Sequence, residues 1–228
     1  MTHEEKHFGG SEIVRDMVIG LSDGLTVPFA LAAGLTGAVT NNDIIVTAGL
    51  AEIVAGSIAM GLGGYLAGKT ELEHYDSELK REYYEVDNFY EKEKQEVKEV
   101  FADYGLSQHT QDIVADELAK DKDKWVDFMM RFELGLEKPN INRARQSAIT
   151  IGLSYILGGL VPLSSYLFTN DPYTGLKFSC LVTLVCLFTF GYFKNKVIGQ
   201  PPLWGAVRIT LIGTLAAASA YFVAHLIN

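Results

Sequence analysis

Asp23 is a carboxylate near the middle of a long apolar segment that runs from Ile13 to Val39. Membrane proteins keep such a costly group at bilayer depth mainly where it lines a path for ions or protons. Burial favours the protonated carboxyl, whereas a bound divalent cation favours the ionised form and expels the proton. Asp23 is therefore a candidate ligand in a site that exchanges protons for metal. The alternative is an aspartate that fills a polar pocket between helices.

Met60 is a second candidate because it matches Asp23 in depth. Glu12 and Glu71 lie at the polar ends of the first two apolar segments, and the two candidates lie equally far inward, about 16 Å at 1.5 Å per residue. A carboxylate with a thioether suits a borderline cation such as Fe²⁺ better than Mg²⁺ or Ca²⁺. Ordinary packing is the alternative for Met60. Glu52 lies on the same segment, eight residues before Met60 and therefore about two helical turns deeper in the membrane. It either assists the site or pairs with a group on another helix.

A second set of acids lies in the polar segment between 69 and 138. Its members are Glu82, Glu85, Glu93 and Glu96. On a straight helix they fall in one arc beside an apolar stripe, where like charges repel and favour a bound cation. The alternative is a solvated acidic face. Met129, Met130 and Glu133 share one side of a later helix, and they either extend this site or fill the domain core.

A di-iron enzyme is disfavoured because the sequence offers too few metal ligands for such a site. Glu71 and His74 form an E-x-x-H pair, but di-iron bundles need two such pairs and two further glutamates. The only other pair, Glu4 with His7, belongs to the N-terminal tail. No resident cofactor is expected, and the net charge of −9 argues against nucleic acid as a partner.

Five apolar segments must position these residues, and each is near or above the ~20 residues that cross a bilayer. They cover 13–39, 43–68, 146–168, 173–193 and 203–227. The fold class predicted is an all-α polytopic membrane protein with five transmembrane helices and a three-helix cytosolic insertion between the second and third. The domains predicted are 1–68 (tail and helices 1–2), 69–140 (acidic metal-binding insertion) and 141–228 (helices 3–5).

The second apolar segment has no proline after it until Pro139, which predicts one helix that continues to Tyr104 and ends at Gly105. Two shorter helices are predicted next, Ser107–Lys120 and Asp121–Leu136. All basic residues except Lys177 fall on one side of this topology. The positive-inside rule makes that side cytosolic and places the C-terminus across the membrane.

Two stretches resemble the span signatures of the vacuolar iron transporter family. DGLTVPFALAAGL, from Asp23 to Leu35, resembles the first span, and AEIVAGSIAMGLGGY, from Ala51 to Tyr65, resembles the second. With the glutamate-rich insertion, the sequence is most similar to plant members. The resemblance implies a multi-pass homodimer of the vacuolar membrane that moves Fe²⁺ from cytosol to vacuole in exchange for protons.

The resemblance also implies roles for particular residues. Asp23 and Met60 would face the ion at the dimer interface, with Glu12 and Glu52 near the pathway. The implied metal-collecting set is Glu82, Glu85, Glu93, Glu96, Met129, Met130 and Glu133. Two alternatives remain: a broader divalent transporter for Mn²⁺, Zn²⁺, Co²⁺ or Ca²⁺, and a membrane-anchored metal sensor that transports nothing.

Overall fold

The computed structural model describes residues 11–227, and this part of the chain is helical without a strand. The Glu4–His7 pair, the rest of the N-terminal tail and Asn228 lie outside the described residues. In chain order the helices are α1 (Ser11–Thr36), α2 (Asn42–Asn88), α3 (Tyr90–Asp103), α4 (Gln108–Leu118), α5 (Lys122–Phe128), a π-helical turn (Met129–Glu133), α6 (Arg143–Leu167), α7 (Pro172–Val197) and α8 (Pro202–Ile227).

Five of these helices, α1, α2, α6, α7 and α8, are long and apolar enough to cross a membrane. This confirms the all-α architecture with five spans. The chain divides into two compact units. The membrane unit contains the residues up to Leu66 and those from Ala144 onward, and the insertion is Ala67–Arg143. Helix α2 contributes to both units.

Glycines let α6 pack closely against α1 and α2 in the membrane unit. A Cβ on Gly24 of α1 would overlap the backbone of Tyr155, and a Cβ on Gly56 of α2 would overlap the ring and hydroxyl of the same tyrosine. Small residues at such positions allow helix backbones to approach each other in lipid. The result is that Tyr155 is only 2% exposed and contacts both helices.

The continuous helix predicted as far as Tyr104 is wrong, because α2 ends at Asn88 and α3 begins at Tyr90. Phe89 alone leaves helical geometry, with φ −130° and ψ 37°. No proline or glycine causes this break. The Tyr90 ring packs edge-on against the buried Trp125, with centroids 5.1 Å apart, so we attribute the break to packing in the core of the insertion.

The later helices of the insertion also differ from prediction. Ser107 caps α4 as its hydroxyl accepts a hydrogen bond from the Thr110 N–H at 3.4 Å. The last predicted helix stops early, because α5 ends at Phe128 and the π-helical turn replaces its second half. The expected three-helix insertion is therefore not observed. Its core contains Tyr75, Val86, Val97, Ala115, Trp125, Val126, Met129 and Met130.

Candidate metal centre

Five glutamates converge in the insertion as two groups of three that share one member. Glu82, Glu85 and Glu93 form the first group, and Glu93, Glu96 and Glu133 form the second. Within each group, one carboxylate oxygen of every residue lies within 4.8 Å of the others. The structure thus brings together all the glutamates that the sequence singles out for metal collection. We refer to them as the acid cluster.

The break at Phe89 makes this convergence possible. On a straight helix the Cα atoms of Glu82 and Glu93 would be about 16 Å apart, too far for their carboxylates to meet. The Phe89 N–H still donates to the Glu85 carbonyl at 2.7 Å, while its own carbonyl accepts from the N–H of Glu93 at 3.1 Å. One residue therefore ends α2 and starts α3. The cluster arises from this bend and not from the single helix face that the sequence predicted.

The two central carboxylates are almost completely removed from solvent. Glu93 is 1% exposed and Glu82 is 3% exposed. Among the described residues, both oxygens of Glu93 and Oε2 of Glu82 are buried without a hydrogen-bond partner. Burying a carboxylate without such partners is costly, and a bound cation would remove that cost.

Two of the outer carboxylates of the cluster, Glu85 and Glu96, are paired with cations. Arg81 Nε lies 3.2 Å from Glu85, and Lys92 Nζ lies 2.7 Å from Glu96. Lys92 Nζ is also 3.8 Å from Glu93, which is beyond hydrogen-bond distance. Glu82 is in no ion pair among the described residues and Glu93 has only this longer contact, so an ion at the centre of the cluster would meet carboxylates with few cationic partners.

Burial and mutual repulsion hold protons on this cluster. Burial, then the charge of Glu133, raises the pKa of Glu82 to about 7. Burial, then the charge of Glu96, raises the pKa of Glu93 to about 7. The same two causes, in that order, raise the pKa of Glu133. A divalent cation that binds here near neutral pH must therefore displace protons.

Met129 and Met130 are fully buried in the core of the insertion beside Trp125. They begin the π-helical turn, in which the Leu134 N–H donates to the Met129 carbonyl at 3.1 Å. π-Helical turns are rare in proteins, and many of those that occur lie at functional sites. This turn ends at Glu133, which joins the acid cluster. The core-filling role accounts for the burial of both methionines, and thioether ligation stays a prediction.

In a single chain, the candidate residues of the membrane unit do not converge as the glutamates of the acid cluster do. Asp23 and Met60 are both partly exposed. Glu52 accepts a short hydrogen bond from the Tyr155 hydroxyl, and its other oxygen is buried without a partner among the described residues. Glu12 is exposed at the start of α1. Within residues 11–227, the convergent acid groups lie in the insertion and do not include these membrane residues.

Sequence reasoning missed two residues of the membrane unit. Asp16 is 2% exposed and lies one turn beyond Glu12 and two turns before Asp23, so the three acids share an arc of about 40° on α1. That spacing was visible in the sequence. Tyr155, the hydrogen-bond donor to Glu52, gave no such signal because its role depends on how α6 packs.

Comparisons with known proteins find close similarity over almost the whole chain. The model described as the VIT family matches residues 14–225. Vacuolar iron transporter 1 of Tulipa gesneriana is 51% identical over 226 residues, covering 99% of this chain and 92% of that protein. Vacuolar iron transporter 1 of Arabidopsis thaliana is 50% identical over 226 residues, covering 99% and 90%. Vacuolar iron transporter cccA of Arthroderma benhamiae is 36% identical over 224 residues, covering 95% and 80%.

Proposed function

The chain belongs to the VIT family, and we propose that it carries Fe²⁺ across the vacuolar membrane, from cytosol to lumen, in exchange for protons. The resemblance seen in its span motifs is confirmed, as is the prediction of a transporter and not an enzyme. The names of the relatives support iron as the cargo and the vacuole as the location. The observation that carries the proposal is the pair of desolvated carboxylates, Glu82 and Glu93, whose buried oxygens lack hydrogen-bond partners at the centre of a five-glutamate cluster.

The acid cluster is proposed to collect the metal. Carboxylate oxygens are available from several directions, and the central Glu93 serves both groups. Because Glu82 and Glu93 titrate near neutral pH, a small change in pH or metal concentration changes their occupancy. Such a site can load and release ions near neutral pH instead of holding them permanently.

Asp23 and Met60 are proposed to pass the ion through the bilayer. Glu12, Asp16 and Asp23 follow one another along a single face of α1, which gives a cation a series of acidic positions from the helix end inward. At Asp23 the arriving metal would displace the carboxyl proton, and return of a proton from the lumen would release the metal. This exchange is the proposed coupling step.

A homodimer would complete the membrane site, and α2 offers a surface for it. Small residues recur at every fourth position on its exposed face, namely Ala51, Ala55, Ala59 and Gly63. A Cβ on Gly63 would meet no atom within 4 Å. Faces of this kind support close helix association in membranes, and Met60 adjoins the stripe. We propose that a second copy packs here and adds its ligands to those of the first.

The dimer contact can be tested with bulky substitutions in this stripe. Ala55→Leu together with Ala59→Leu should convert the detergent-solubilised protein from dimer to monomer, as measured by light scattering after size exclusion. Ser219→Leu, at an exposed position of α8, is the matched control and should leave the mass unchanged. A dimer that survives the double substitution would place the interface elsewhere.

Transport itself is tested in proteoliposomes loaded with a pH indicator. The native chain should take up Fe²⁺ faster when the compartment that corresponds to the lumen is acidic, and protons should leave as iron enters. Asp23→Ala and Met60→Ala should abolish uptake, whereas Glu99→Gln, an exposed acid of α3 outside the cluster, should not. Normal uptake by both membrane variants would remove the proposed path. Iron uptake without proton movement would remove only the coupling.

A broader divalent transporter is a second candidate for one reason. The acid cluster consists of carboxylates, which are hard oxygen ligands and also bind Mn²⁺, Zn²⁺, Co²⁺ or Ca²⁺. The same vesicles with these ions decide the question, since selective transport requires that Fe²⁺ be preferred. A sensor that transports nothing predicts binding without flux, and it gives no reason for acids within the spans.

A further inference from the structure

The hairpin of α7 and α8 has a charge opposite to that of the rest of the chain. From Pro172 onward the sequence contains Lys177, Lys194, Lys196 and Arg208 but no Asp or Glu, in a protein whose net charge is −9. Lys194 and Lys196 lie in the last turn of α7, next to the connection to α8. Three cations therefore gather at one end of an acid-free hairpin.

Arg208 lies inside the membrane-spanning part of α8. This helix begins at Pro202 and has 26 residues, so it is roughly 39 Å long against a hydrocarbon core of about 30 Å. If the helix is centred, the Arg208 Cα lies about 9 Å from the helix start and a few ångströms inside the hydrocarbon. An arginine at this depth extends its guanidinium toward the headgroups.

The side of α8 that carries Arg208 faces away from the other helices of the membrane unit. Arg208 is exposed, with Trp204 (66% exposed) one turn before it and Leu211 (63% exposed) close to one turn after it. Ala206, on the opposite side, and Gly205, on an adjacent side, are buried against Gly191 of α7. Arg208 thus occupies a lipid-facing stripe. The aromatic residue Trp204 lies on the same stripe, nearer the start of α8.

Within the described residues of the membrane unit, 11–66 and 144–227, no ion pair includes Arg208, Lys194 or Lys196. The connection that holds them together is well defined. The Asn195 side-chain amide donates to the Pro201 carbonyl at 3.0 Å, and Gly199 adopts a positive φ of 70°. The ends of α7 and α8 are thereby fixed side by side.

We propose that Arg208, with Lys194 and Lys196, binds the phosphate of an anionic phospholipid in the leaflet at the α7–α8 connection. Basic groups at the ends of transmembrane helices recognise acidic headgroups, and tryptophan prefers the membrane interface. Trp204 anchors the helix there, and Arg208 reaches the phosphate from below it. The lipid supplies the negative charge that the hairpin itself lacks.

The test uses Trp204 as a reporter in the full chain. The protein is reconstituted into vesicles that contain, at the same mole fraction, either brominated phosphatidylserine or brominated phosphatidylcholine, both of which quench nearby tryptophan. Trp204→Phe measures the background from Trp125, the other tryptophan of the chain. The native chain should prefer phosphatidylserine by roughly fivefold for each cation that contacts it, and high salt should reduce the preference.

Matched variants separate lipid binding from other roles. Arg208→Gln should remove most of the preference, Arg208→Lys should retain part of it, and Lys177→Gln, at the opposite end of α7, should leave it unchanged. Equal quenching by both lipids in the native chain, or an undiminished preference in Arg208→Gln, would overturn the proposal. Conversion of a dimer to a monomer by Arg208→Gln, without loss of a lipid preference, would instead assign Arg208 to a contact between copies.

Discussion

Metal binding by the acid cluster should depend steeply on pH. The perturbation is acidification from pH 7.5 to pH 5.5, and the responding groups are Glu82 and Glu93, whose pKa values are about 7. Both carboxylates must be ionised to bind a divalent cation. Protons compete with the metal below pH 7, so the affinity should fall as the pH falls and level off above pH 8.

The size of the effect follows from these two carboxyl groups. At pH 5.5 a group with a pKa of about 7 is protonated about 30 times more often than it is ionised. Displacing one proton should weaken binding about 25-fold between the two pH values, and displacing two should weaken it about 600-fold, or ~2 and ~4 kcal/mol. A glutamate that titrates near 4.5 would change the affinity by only about 10%. Because the two carboxyls interact, the expected result lies between 25-fold and 600-fold.

The assay is anaerobic calorimetry with Fe²⁺ on the detergent-solubilised Asp23→Ala protein, in which the proposed membrane ligand is absent. Titrations at both pH values give the affinity ratio. Repeating them at pH 6.5 in buffers of different ionisation enthalpy counts the protons that are released. Glu93→Gln should weaken binding and lower the ratio toward 25-fold, because Glu82 then remains as the group with a pKa of about 7. Glu99→Gln should change neither quantity.

A ratio below about twofold, with no proton release, would refute this reasoning. It would mean that the metal binds elsewhere or that Glu82 and Glu93 are ionised at pH 5.5 in the metal-free protein. Glu93→Gln gives a second check, since loss of affinity with an unchanged pH ratio would show that Glu93 binds metal but is not a proton donor.

Further predictions concern the membrane unit. Tyr155→Phe removes the hydrogen bond to Glu52 and leaves this half-buried carboxylate without that partner. Thermal unfolding should therefore show a loss of about 1–3 kcal/mol, and Fe²⁺ uptake should slow; an unchanged rate would make this bond purely structural. Gly24→Ala introduces a Cβ that overlaps Tyr155 and should destabilise the protein by about 1–3 kcal/mol in the same measurement. Ser219→Ala, at an exposed position of α8, is the control, and equal melting of the two variants would contradict the packing described for α6.

The spans were predictable from sequence because length and apolarity suffice to define them. The break at Phe89 was not, since the local sequence contains neither proline nor glycine and the cause is packing of Tyr90 against Trp125. The π-helical turn that ends at Glu133 was missed for a similar reason: it satisfies tertiary contacts and has no sequence signature. Local propensity yields to such contacts wherever a core forms.

The acid cluster shows that predicted residues can converge although the geometry expected for them was wrong. The sequence placed four of its glutamates on one face of a straight helix and Glu133 on a later helix, whereas the structure brings Glu82 and Glu93 together across a bend. The membrane unit gives the converse case. Asp16 could have been found from its spacing to Asp23, but Tyr155 could not, because only the packing of α6 brings its hydroxyl to Glu52.

Glu93 belongs to both carboxylate groups, and this has a consequence for how the cluster fills. Two cations bound at once would have to share that bridging side chain, and the first would already have neutralised much of its charge. The second ion should therefore bind more weakly than the first. Occupancy would show negative cooperativity, with the more weakly held ion the first to be delivered onward.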